Sequence, residues 1–145
     1  MNNDVVIYQS SDGLVKMEAI VDASNETIWA TQKAMAQLFG VNVPAISKHL
    51  KNIYSEGELA ESMTISKMET VVQRGFRGAV REMVEFYNLD AIISVGYRIN
   101  SRQATAFRQW ATSVLKQYMI KGYAVNQNAV SEQKYEDLKR ALGLL

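Results

Sequence analysis

ATQKAMAQLFGVNVPAISKHLKNI, residues 30–53, holds the chain's one histidine and one proline and contains no acid. Thr31 is placed to cap a helix over residues 32–39, since its hydroxyl can accept a backbone N–H of the first turn. Gly40 then offers a left-handed stop. Asn42 can cap a second helix, with Pro44 in the first turn, where a missing N–H does no harm. Ala45, Ile46, Leu50 and Ile53 give that helix an apolar stripe, and Gly57 is expected to end it. Two helices crossing over a tight turn need a small residue at the crossing, a turn residue tolerant of positive φ, and aliphatics returning to the core. Ala36, Gly40 and the set Val41, Ile46 and Leu50 meet these needs at the spacing of a helix-turn-helix.

The second helix then turns Asn42, Val43, Ser47, Lys48 and Lys51 outward, with His49 on a flank. These donor-rich side chains suit base edges and phosphates. Gln32, at the start of the first helix, is a candidate phosphate contact. The plain alternative is a helical hairpin with solvated lysines. His49 stays open between an ordinary half-buried histidine and a contact to phosphate or base. Metal binding or catalysis would need companions that one histidine and no cysteine do not supply.

A second candidate is QRGFRGAVR, residues 73–81. Arg74 and Arg77 flank a glycine-bounded turn between two strands, with Arg81 further along the return. Such a tip beside a helix-turn-helix has the layout of a wing that holds phosphate or minor groove. A surface hairpin with scattered arginines is the rival reading. Arg74 and Arg77 are expected to extend from the tip.

Composition narrows the rest. The chain has 145 residues, 48% of them hydrophobic, enough for a core, and a net charge of +1. No acid lies between Glu26 and Glu56 or between Asp90 and Glu132, so basic faces can form on a near-neutral chain. There is no phosphate-loop or nucleophile-elbow motif, so no enzyme, cofactor, metal or small-molecule substrate is expected. No apolar run is long enough to span a membrane. The N-terminus lacks a secretion signal, and a cytoplasmic location is expected.

Around the opening stretch, residues 4–22 read as a β-hairpin turned at Asp12-Gly13. Residues 26–31 read as a third strand. Residues 63–89 read as two strands around the arginine turn. Residues 89–99 read as a helix, with a strand as alternative. Ser101 is expected to cap a long helix to Lys121, with Phe107, Trp110, Ala111, Val114, Leu115 and Tyr118 buried and Gly122 as its stop. Residues 1–122 are thus expected to form one winged-helix-like domain. Residues 123–145 read as a linker and the start of a helical module, and the chain as a fragment.

Three blocks carry a resemblance: WATQKAMAQLFGVNVPAISKHLKNIYSEGEL, YNLDAIISVGYRINS and FRQWATSVLKQYMIKGYAVN. Together they resemble the virulence protein RhuM family. The last two are also similar to the N-terminal Bro and KilA type domains of phage and DNA-virus proteins. The resemblance implies a bacterial cytoplasmic protein that binds DNA, often encoded near restriction–modification or mobile elements, with no established catalytic activity.

The expected fold is α+β, with a winged helix-turn-helix-like core, an N-terminal β-hairpin, a second β-hairpin and a long C-terminal helix. The expected partner is double-stranded DNA, bound as a regulator. A homodimer or an attached C-terminal module is also expected, since one such unit seldom binds tightly alone. The first rival is a protein-interaction module using the same fold. The second is an enzyme whose active site lies in a missing C-terminal half.

Overall fold

The computed structural model describes residues 3–121, which form an α+β arrangement of two antiparallel sheets and five helices. In the first sheet β1 (Asn3–Gln9) pairs with β2 (Lys16–Asp22), and β2 with the short β3 (Thr27–Trp29). The Asp12 carboxylate shapes the first turn by accepting the Ser10 hydroxyl at 2.5 Å and the Leu14 N–H at 2.9 Å. Alternation along the strands sends Val6, Tyr8, Met17, Ala19 and Val21 into the core. Asp22 ends β2 almost fully buried. Burial pushes its carboxyl up, but hydrogen bonds from Asn25 and Trp29 more than offset this and hold it low.

The core lies between this sheet and the helices. Along α5 (Ser101–Lys121), the buried residues Ala104, Phe107, Ala111, Val114, Leu115 and Tyr118 fall at helical spacing. Tyr8 meets Phe107 and Trp110 edge-on, with ring centroids 5.3 and 5.2 Å away. The segment 89–99 is a helix, α4 (Leu89–Ile99), started by the Asn88 side chain accepting the Ala91 N–H. Its Gly96 marks a close approach. A Cβ there would stand 2.6 Å from the Phe39 ring and 2.7 Å from the Ala104 methyl. One expectation shifts by a residue: Asn100, rather than Ser101, caps α5, its side-chain oxygen accepting the Gln103 N–H at 3.1 Å. Asn100 also closes α4, so it serves both helices.

The second hairpin follows a single helical turn, α3 (Glu61–Thr64), where strand was expected from Met63. Thr64 turns back here: its hydroxyl donates to the Ala60 carbonyl and sits 2.9 Å from the Tyr54 hydroxyl. Strands β4 (Ile65–Gln73) and β5 (Ala79–Tyr87) pair without interruption from Ile65–Tyr87 to Gln73–Ala79. A 3-10 turn at Gly75–Arg77 closes the tip. The base is stitched to the first sheet by Ala30 and Tyr87, which exchange backbone hydrogen bonds of 2.9 and 2.8 Å. Among the described residues no helix is long and apolar enough to cross a membrane. The expected stop at Gly122, the linker 123–131 and the terminal helix lie outside the described residues.

Candidate nucleic-acid interface

The opening stretch folds into two helices, α1 (Gln32–Phe39) and α2 (Val43–Ser55), joined by Gly40-Val41-Asn42. Thr31 caps α1 by accepting the Ala34 N–H at 3.1 Å. Gly40 has φ 69°, and the N–H groups of Gly40 and Val41 both donate to the Ala36 carbonyl. Asn42 caps α2 by accepting the Ala45 N–H at 2.9 Å, with Pro44 in the first turn. Met35, Leu38, Phe39, Ile46, Leu50 and Ile53 are buried beneath the pair. Neither helix carries an acid in its first turn, so the partial positive charge of each N-terminus is not offset there.

The outward side of α2 presents Asn42, Val43, Lys48 and Lys51 to solvent, with Ser47 and His49 half-buried. Helical geometry puts Val43, Ser47 and Lys51 on one flank with Tyr54, and His49 on the other flank with Asn52. Gln32 is engaged within the protein. Its amide donates to the Tyr87 hydroxyl at 3.0 Å, and that hydroxyl donates to Glu85 at 3.1 Å. Burial, opposed by the Gln32 amide and reinforced by Glu85, pushes the Tyr87 phenol up to about 12. This relay ties the hairpin base to α1. With one amide hydrogen of Gln32 engaged there, the expected phosphate contact would have to use the other, and no local signal at Gln32 points to Tyr87.

The hairpin arginines separate. Arg74 does not extend from the tip: its guanidinium grips Glu82 through two bonds of 2.7 and 2.6 Å, back along its own hairpin. Arg81 lies 3.7 Å from Glu69. Arg77 forms no salt bridge among the described residues and stands exposed beside the fully exposed Phe76. The inner face of the hairpin and the outer face of β1–β2 border a cleft of about 780 Å³, lined also by Thr31, Lys33 and Gln37 around α1. Arg74 lines this cleft and no residue of α2 does. The hairpin therefore faces α1 and the first sheet across it. On α4, Arg98 belongs to an acid-free block of sequence, yet it bonds Glu56 at 2.6 Å and Glu58 at 3.0 Å. Hydrogen bonding to Arg98 holds the Glu58 carboxyl low.

The sequence model of the virulence protein RhuM family matches residues 63–140. The chain belongs to that family. The RhuM match takes in the second hairpin, α4 and α5, and so the second and third of the three resembling blocks; α1 and α2 precede it. No curated protein and no solved structure matches the chain.

Within this RhuM-family chain the cations fall into two groups. Arg74, Arg81 and Arg98 are paired with acids. Lys48 and Lys51 form no such pair among the described residues, and neither do Lys16, Lys33, Lys67, Arg77, Arg102, Arg108 and Lys116. Lys48 and Lys51 stand together on a helix fixed by its buried side. Charge free of internal partners on a rigid element can neutralise an external anion without first breaking a bond. The Arg98 clamp adds to this by engaging the two acids that follow α2.

Proposed function

We propose that this RhuM-family protein binds double-stranded DNA through α2, as the second helix of a helix-turn-helix, and acts as a regulator. The observation that carries the reading is the acid-free outward face of α2, capped by Asn42 and held by Ile46, Leu50 and Ile53. In this reading Lys48 and Lys51 meet phosphates, Asn42, Val43 and Ser47 approach base edges, and His49 touches the backbone from its flank. The second hairpin acts as a wing with Arg77, which forms no salt bridge among the described residues, as its phosphate contact; Arg74 would first have to leave Glu82. Gln32 contributes by holding the wing to α1. A homodimer supplies the second half-site.

Fluorescence anisotropy with a mixed-sequence duplex at two salt concentrations tests this. Lys48→Ala/Lys51→Ala should weaken binding and lower the salt slope by about 0.9 for each phosphate that is no longer neutralised. Thermal melting should not change. Undiminished binding would remove α2 from the interface.

A second reading, a protein-interaction module, is favoured by the outer face of the hairpin. There Lys67 and Arg81 balance Glu69 and Glu85, and Val71 and Met83 are 57% and 63% exposed. That face is neutral and apolar at its centre, poorly suited to phosphate. Arg77→Glu separates the readings: it should sharply reduce duplex affinity if the hairpin is a wing, and leave it unchanged if the hairpin meets protein alone.

A further inference from the structure

The outer edge of β4 is open. Among the described residues β4 pairs with β5 alone, so one side of a nine-residue strand presents unpaired N–H and C=O groups. Natural edge strands are blunted by proline, bulges or short length. β4 has no proline or glycine, and its register with β5 runs unbroken from Ile65 to Gln73. Edge charges also blunt, and β4 carries two, Lys67 and Glu69, of opposite sign. A two-stranded hairpin is in addition marginally stable in water.

We propose that β4 pairs antiparallel with β4 of a second copy of this chain, centred on Met68, to make a four-stranded sheet across the dimer. The register follows from the side chains. About Met68, Lys67 faces the second copy's Glu69 and Glu69 its Lys67, giving two opposite-charge pairs. Ile65 faces Val71 twice on the same outer side, which covers the exposed Val71. On the inner side Ser66 meets Thr70 and Met68 meets Met68. All are favourable cross-strand pairings. Centring on Glu69 would oppose two like charges, and centring on Thr70 would leave Lys67 against Gln73 and Glu69 against Val71. The charges that would protect this edge against a foreign strand thus complement a second β4. Of the other outer strands, β5 also has nine residues, but the Ala30–Tyr87 bridge occupies the base of its free edge and blocks a full-length partner strand there. β1 has seven residues, and its Val5 and Ile7 line the cleft.

The test uses the full chain without DNA, so its outcome is independent of the DNA reading. Sedimentation equilibrium should show a concentration-dependent dimer. Glu69→Lys should weaken it at least about fivefold, by setting Lys67 against lysine in both pairs. Lys67→Glu/Glu69→Lys should restore it, with circular dichroism confirming the fold of each variant. The chain has no cysteine, so Met68→Cys provides a single thiol on the symmetry axis. Facing residues of an antiparallel pair lie about 4.5–5.5 Å apart at Cα, within disulfide reach. Mild oxidation should therefore link two copies. A monomer at every concentration, a charge-swapped variant that does not recover, or cross-linking through Val5→Cys on β1 in place of Met68→Cys would each overturn the proposal.

Discussion

The α1–α2 pair and the β4–β5 hairpin are both stretches of about two dozen residues that place basic side chains near a tight turn. They are held in different ways. Beneath the helices, six large apolar side chains are buried. The hairpin buries only Phe86 and Tyr87 of its strands, and Val71, Met83 and Phe76 stand in solvent. The helical lysines have no internal partners among the described residues, whereas Arg74 and Arg81 bond acids of their own hairpin. A basic residue beside a turn thus has opposite meanings in the two regions. Lys48 and Lys51, on a packed helix, keep their charge for a partner, whereas Arg74 and Arg81 use theirs within their own hairpin and leave only Arg77 at its tip without a salt bridge.

The sharpest way to break this contrast is at the packing beneath α1. Gly96→Val should cost about 3 kcal/mol in urea unfolding, because the added carbons enter space held by Phe39 and Ala104. Phe76→Ser at the hairpin tip should leave the same curve unmoved. Gly40→Val comes next. No atom lies within 4 Å of its new Cβ, so the cost is conformational, about 1–2 kcal/mol for a branched residue at positive φ. Gly40→Asn should recover much of this loss, since asparagine tolerates the left-handed region.

Gln32→Ala tests the link between the regions. Loss of its bond to Tyr87 should cost about 1 kcal/mol or less. Amide exchange should quicken in β5 before it does in α1. The smallest effect is expected at Arg74. Hydrogen bonding to Glu82 raises the Arg74 pKa, and the reciprocal bond lowers that of Glu82. A carboxyl depressed on folding stabilises above its unfolded pKa and loses that effect as pH falls through the folded one. Tip amides should therefore lose protection only below the ordinary glutamate range, and Arg74→Ala should remove that pH dependence without altering global unfolding.

The elements legible in sequence are those with local causes. Thr31, Gly40, Asn42 and Pro44 act within four residues of themselves, and each takes the expected place. The Asp12-Gly13 turn and the helical spacing of α4 and α5 are equally local. Ser101 and Asn100 are both good caps and adjacent, and spacing alone does not rank them. The partners of the charges were not legible. Glu82 reaches Arg74 only once the strand register is set, and Glu56 and Glu58 meet Arg98 from about 40 positions away. Gly96 fits a periodicity, yet its contact with Phe39 joins distant segments. In the candidate interface, the α2 residues could be placed on their helix from sequence, while the engagement of Gln32 and Arg74 could not.

The stitch between Ala30 and Tyr87 bears on how the chain folds. The helix pair and the second hairpin are each built from contacts between near neighbours, which form fast. Joining them closes a long loop: Gln32 and Tyr87, beside the stitch, are 55 positions apart. For a fully flexible loop of that length the closure entropy would be on the order of 3 to 4 kcal/mol before any constant, and prior formation of the two local units lowers it by shortening the flexible chain between them. Few contacts at the hairpin base repay it directly, so docking belongs late, after both local units exist. A variant weakened at the stitch should then fold at nearly the native rate and unfold faster, its effect confined to one arm of the chevron.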